Sequence, residues 1–296
     1  MSAASTAPEE GATPAEPPPP KGGIRTGRNL LAAIWVGLLL GGAALVTLLT
    51  VKATFLIFMG AALLLALREL DSALQKSRDV NMPVIPVALG GAAMVTCAYW
   101  AAGGAVMAAF ALTLVGILIW RLFGGTKGYV GDVTAAVFAA AYLGLLGATV
   151  AAMLSPHDGG RRVLAFIILT ICSDIGGYFA GITLGRGGAH KMAPAISPKK
   201  TWEGLAGSIV ACVGAGAILL PVALHGYWWQ GVLVGAAAVA AAVFGDLAES
   251  MMKRDLDIKD MGSLLPGHGG VLDRIDSLLV CAPVVWLLLA VFLRHG

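Results

Sequence analysis

WWQGVLVGAAAVAAAVFGDLAESMMKRDLDIKDMGSLLPGHGGVLDRIDSLLVCAPVVWLLLAVFL, residues 228–293, decides the fold: an apolar run, a charged island and a second apolar run. Each run, 228–248 and 275–293, has the roughly 20 apolar residues needed to cross a hydrocarbon core ~30 Å thick. The island, 250–277, packs Lys253, Arg254, Asp255, Asp257, Lys259, Asp260, His268, Asp273, Arg274 and Asp276 into one short connection. Hydration alone does not call for PGHGG framed by Lys-Arg and Asp-Arg-x-Asp, so chemistry is expected there.

Working outward, apolar runs recur from Asn29 to the end of the chain. Hydrophobic residues make up 58% and charged residues 12% of the 296. That balance excludes a soluble domain. A transmembrane β-barrel would need segments alternating apolar and polar, whereas these runs are apolar on every side. The expected fold is all-α, a polytopic membrane protein with about nine spans: 29–51, 53–70, 83–102, 104–122, 129–153, 162–184, 204–224, 228–248 and 275–293.

Orientation follows from the basic residues, which gather on cytoplasmic connections. With the N-terminus inside and the C-terminus outside, all but Lys52, Arg161, Arg162 and Arg294 of the 20 Lys and Arg fall on the cytoplasmic side. The chain then divides into a Pro/Ala-rich disordered tail over 1–28, N-terminal spans over 29–153, and a C-terminal region over 154–296 with cytoplasmic connections 185–203 and 249–274. The acidic start and late, long first apolar run do not read as a cleaved secretory signal. Cys97, Cys172, Cys212 and Cys281 lie in apolar runs without metal or redox spacing and read as small hydrophobes. Trp100, Trp120, Trp202, Trp228 and Trp229 fall near span ends, as an interfacial belt requires.

The sixth span carries Asp174, and an ionisable group within a span is costly enough to imply function. Tyr178 is one helical turn further on. Ser173, Gly177, Gly181 and Gly185 form a row that admits a close helix, from this chain or in a homodimer. Asp132, by contrast, reads as an interfacial cap.

After this span, Ser197-Pro198 predicts a helix N-cap and first turn, which would put Lys199 and Lys200 at a helix N-terminus. Cations are disfavoured there unless an anion binds too. Asp246, Glu249, Ser250 and Lys253 share one helical face, and Asp273 and Asp276 another at the start of the last span. Oxygen ligands without a His/Cys cluster suit Mg²⁺, and interleaved Lys and Arg suit phosphates. Glycines let backbone approach a ligand. Together they point to phosphoryl-group chemistry at a metal, on a scaffold without the GxxxxGK[ST] loop.

The run S-x-x-K-R-x-x-x-x-K-D-x-G-x-x-x-P-G-H-G-G-x-x-D-R-x-D over 250–276 resembles the signature of the phosphatidate cytidylyltransferase, or CDP-diacylglycerol synthase, family. SPKKTWEG at 197–204 and SDxxxYxxG at 173–181 are similar to further blocks of it; the first five spans match only in hydropathy. The resemblance implies transfer of the cytidylyl group of CTP to phosphatidate, giving CDP-diacylglycerol and pyrophosphate. It implies Mg²⁺, leaving open a second, monovalent or divalent, cation. Asp246 and Asp273 would be metal ligands, supported by Asp276 and Glu249. Lys253, Arg254, Lys259, Asp260, His268 and Arg274 would complete the catalytic set, while Asp174, Ser197, Lys199, Lys200 and Glu203 would contact CTP or the lipid phosphate. Ile175, Gly176 and Gly177 depart from the small residue and Ala common before that Tyr. Partners would be CTP, phosphatidate and membrane lipids, with no nucleic acid, at a bacterial inner membrane. A CTP-dependent polyprenol or dolichol kinase is the alternative in the same chemistry, and an ion-coupled transporter, for which no internal repeat is found, in a different class. A CDP-alcohol phosphotransferase would need a D-G-x-x-A-R run, which is absent.

Overall fold

The structure, a computed structural model, describes residues 27–101, 103–185, 190–264 and 269–293. The tail expected over 1–28 lies outside them, apart from its last two residues, which begin the first helix. Helices α1 (Gly27–Thr50), α2 (Lys52–Arg78), α3 (Val84–Trp100) and α4 (Gly103–Leu122) are followed by a longer rod. That rod is α5 (Tyr129–Ala139), a π-helical segment Ala140–Leu145 and α6 (Leu146–Leu154). Then come α7 (Gly159–Leu184), strands β1 (Lys191–Ala193) and β2 (Ser197–Thr201), α8 (Trp202–Leu224), α9 (Trp228–Asp255) and α10 (Leu272–Phe292). Seven of the rods are long and apolar enough to cross a membrane, and 37–50 and 84–100 form two shorter apolar helices. The chain is a multi-pass, all-α membrane protein.

Lipid tails are as apolar as leucine, so burying leucine cannot by itself draw these helices together; close packing must. The glycine row of α7 finds its partner within the same chain. Ser208 of α8 donates to the Ser173 carbonyl at 2.7 Å, and Cys212 to that of Leu169 at 3.0 Å. A Cβ on Gly176 would stand 2.6 Å from the Gly207 carbonyl, so these two backbones touch. The departures at Gly176 and Gly177 therefore belong to the α7–α8 contact, whereas Ile175 is exposed. Gly216 and Gly231 bring α8 and α9 together in the same way.

Two apolar clusters fill the interior. One is built on Phe55, Met94, Met153, Leu169, Leu220, Val234 and Val285. The other, on Leu67, Leu70, Ile117, Ala140, Leu143, Leu256, Met261 and Leu272, underlies the connection between α9 and α10. Polar links tie the helix ends around it. Arg78 pairs with Asp255 at 2.9 Å, and buried Asp132 accepts from Arg121 Nε and the Asn81 amide, both at 2.7 Å. Asp132 thus joins three segments and does not cap α5, whose N-cap is Gly128.

The helix expected to begin at Pro198 begins at Trp202 instead. Its N-cap is Thr201, whose hydroxyl accepts from the Gly204 amide at 3.1 Å. Proline biases the residue before it toward extended backbone and lacks a ladder donor, both of which an edge strand tolerates. Ser197-Pro198 accordingly starts β2, antiparallel to β1, and the hairpin puts Lys199 and Lys200 on a strand. The connection expected over 249–274 narrows to 256–271, because α9 runs on to Asp255 and α10 starts at Leu272.

Candidate active site

The hairpin, the start of α8 and the inner faces of α7 and α9 enclose a cleft of about 870 Å³. Asp174, Ser197, Lys199, Lys200 and Asp246 line it, with Tyr178 and Ile182 giving it an apolar wall. The hairpin is fixed at both ends. At its base Trp202 N–H donates to the His190 carbonyl, and His190 Nδ1 contacts Glu203, so Glu203 serves the hairpin. At its turn Arg254 Nε donates to the Ile196 carbonyl at 3.3 Å.

Lys200 Nζ lies 2.6 Å from Asp246 Oδ2, which brings a hairpin cation onto the first carboxylate of α9. One turn on, Ser250 donates to Asp246 Oδ1 at 3.3 Å. Lys253, a further turn along the same face, contacts Glu249 and stands 2.9 Å from Asp273 of α10. Glu249 is 1% exposed and its Oε1 has no hydrogen-bond partner among the described residues; Asp276 is buried one turn below Asp273. The charged neighbours of Asp174 are Asp246, Lys200 and Arg274. Lys200 and Lys253 are thus interleaved with the carboxylates from Asp174 to Asp276, an arrangement that suits phosphates beside a metal.

The connection between α9 and α10 is gripped by Asp273. Its Oδ2 accepts from the Met261 amide at 3.0 Å and the Gly270 amide at 2.8 Å. Gly269 has φ of 78°, in the left-handed region that favours glycine, and lies against Asp260 and Asp273. Lys259 is exposed and makes no ion pair among the described residues. His268 lies outside the described residues. Two of the loop's glycines thus meet carboxylates of this chain, where the sequence suggested a ligand.

Two polar groups escaped the sequence reading. Glu69 of α2 is buried, with Oε2 accepting from the Leu272 amide at 2.9 Å. Tyr142, in the π-helical segment, is buried near Glu249 and Asp276, and its hydroxyl has no hydrogen-bond partner among the described residues. A carboxylate in an apolar run was the available signal for Glu69, by the rule that singled out Asp174. For Tyr142 there was none, since a π turn leaves no mark in hydropathy.

The sequence of the cytidylyltransferase family matches residues 31–292. The chain is 38% identical over 278 residues to the phosphatidate cytidylyltransferase of Mycobacterium bovis, covering 90% of each protein. It is 39% identical over 284 residues to that of Mycobacterium leprae, covering 90% of this chain and 89% of the relative. Similarity to the Brucella suis protein of the same name is 39% over 153 residues, 51% of this chain and 55% of that one. The likeness thus extends well beyond the C-terminal blocks and takes in the N-terminal spans.

Proposed function

The chain belongs to the cytidylyltransferase family, and from that premise we propose that it transfers the cytidylyl group of CTP to phosphatidate, forming CDP-diacylglycerol and pyrophosphate. The observation that carries this reading is the cleft, which joins an apolar wall of Tyr178 and Ile182 to the charges of Asp174, Lys199, Lys200 and Asp246. A lipid phosphate needs both surfaces.

In the reaction, a phosphate oxygen of phosphatidate attacks the α-phosphorus of CTP. The bond from that phosphorus to the α–β bridging oxygen breaks, and the electron pair leaves with pyrophosphate. No protein nucleophile is needed, so the chain's work is positioning and charge neutralisation. Lys200 and Lys253 are placed between carboxylates where they can turn to phosphate oxygens. Arg254 and Arg274, with planar forked donors, suit bidentate contact with phosphate.

The donor set fits Mg²⁺. Asp246, Asp273, Asp276 and Glu249 are hard oxygen donors, and the buried Oε1 of Glu249 has no hydrogen-bond partner among the described residues, Lys253 meeting the other oxygen. Among the described residues no three such groups converge on one point. Mg²⁺ commonly takes one or two carboxylates and completes its shell with water and substrate phosphates. Bound there, it would neutralise charge developing on the phosphates. Asp246 and Asp273 are the residues we assign to hold it, with Asp276 and Glu249 behind them.

The bacterial relatives and the crowding of basic residues at one end support an inner membrane with the cleft on the cytoplasmic side. A homodimer would use a face other than the α7 glycine row, which α8 occupies. The test is Mg²⁺-dependent release from CTP by purified protein, with and without phosphatidate. Lipid-dependent pyrophosphate that is lost in Asp273→Asn is the expected result, whereas release of CDP would mark phosphoryl transfer and overturn the proposal.

A further inference from the structure

We propose that Glu69 is a positioning residue for the transfer: from α2 it clamps both feet of the connection between α9 and α10, and so sets the aim of Asp273. The inference rests on the reading of the site just given. It begins with a cost, because a carboxylate placed in an apolar interior must recover lost hydration. Glu69 is 9% exposed, and its Oε2 accepts from the Leu272 amide at 2.9 Å, in the other half of the chain. Its Oε1 is buried without a hydrogen-bond partner among the described residues.

The two feet of the connection show what this side chain does. A Cβ on Gly262 would overlap the Glu69 carboxyl group, and one on Gly270 would stand 2.5 Å from Oε2. Both positions are glycine because Glu69 fills the space that a side chain would take. Asp273 holds the same feet by hydrogen bonds to the Met261 and Gly270 amides. The feet are therefore pinned between two carboxylates, one on α2 and one on α10. Asp273 cannot shift without moving Gly270, and Glu69 blocks that movement. A residue of the N-terminal spans thereby controls a carboxylate assigned to the metal.

The experiment compares wild type, Glu69→Gln, Glu69→Ala, Gly262→Ala and the double variant Glu69→Ala/Gly262→Ala, each full-length in detergent. Phosphatidate-dependent pyrophosphate release is measured across Mg²⁺ concentration, and amide hydrogen exchange across peptides covering both feet of the connection and the other helices. Glu69→Ala is expected to lower the rate about tenfold or more and to raise the half-saturating Mg²⁺, as misplacing a catalytic group does. A loss of folded protein would leave half-saturation unchanged. Exchange should accelerate at the two feet of the connection, beside Gly262 and at the start of α10, and not in the other helices, and Glu69→Gln, which keeps an acceptor and the volume, should restore most of the rate. Gly262→Ala should be damaging alone yet add nothing to Glu69→Ala, since the atoms it strikes are gone; independent sites would multiply. If Glu69→Ala does not fold, Glu69→Asp, which withdraws the carboxylate by one methylene, is expected to show the same shifts. Unchanged exchange and Mg²⁺ dependence, or multiplicative effects, would overturn the proposal. If wild type itself releases no pyrophosphate, the functional reading falls, and the exchange data alone decide whether Glu69 holds the connection.

Discussion

Lys253 is the side chain on which the charged cluster turns, because it stands between Glu249, which is almost fully buried, and Asp273. Removing one partner of a buried ion pair leaves the other uncompensated, at about 3–5 kcal/mol. Lys253→Met is therefore expected to lower the thermal midpoint in detergent as well as abolish pyrophosphate release. Lys253→Arg should recover more stability than activity, since the cation remains but its reach and shape change. A Lys253→Met protein with wild-type melting would show that Glu249 and Asp273 do not depend on it. Lys253 and Asp273 were legible in the sequence because they sit in a charged island between apolar runs and fall at helical spacing. Glu69 stood out only as a carboxylate in an apolar run; its partner was not legible, since periodicity cannot reveal which helix lies behind a loop far along the chain. Lys259 shows the converse, a charge within the motif that the structure leaves exposed and outside the ion pairs.

Among the elements, the α7–α8 pair sets the width of the cleft, and glycine sets how near those helices approach. Gly207→Leu would drive a side chain into the Gly176 carbonyl and the Ala180 methyl. The expected loss is at or above the upper end of the roughly 1–3 kcal/mol that overpacking costs, read as a lowered melting temperature with reduced activity. Gly214→Leu is the control, because nothing lies within 4 Å of a Cβ there, and it should leave both unchanged. Equal effects would mean that the contact does not hold the pair. The glycine row of α7 was readable from its four-residue spacing, although its partner was not. The hairpin was misread for a physical reason: Ser-Pro suits a helix start and a strand start alike. Thr201 settled the boundary by capping α8 four residues later. That shift moved Lys200 from a helix dipole to Asp246, turning an anion site argued from backbone into an ion pair.

Across the whole molecule, four charged links gather at one end of the helices, Arg78 with Asp255, Arg121 with Asp132, Lys200 with Asp246 and Lys253 with Asp273, while Arg162 with Asp158 lies at the other. The turns at 155–158 and 225–227 lie at the other ends of the same helices, since α7 and α9 run from them toward the cleft. The all-α, membrane-spanning character of the chain was legible in its long apolar runs, because each span must satisfy its own backbone in lipid. Which end faces the cytoplasm rests on the distribution of Lys and Arg, and it can be measured. With the four native cysteines replaced, single cysteines at Lys199, Asp257 and His157, all exposed positions, report the two sides to a membrane-impermeant thiol reagent. Lys199→Cys and Asp257→Cys should label in inside-out vesicles and be protected in right-side-out ones, and His157→Cys should do the opposite. Labelling of Asp257→Cys from outside would place the cleft away from cytoplasmic CTP. The orientation and the route of the nucleotide would then fall together, while the family and the packing of the helices would stand.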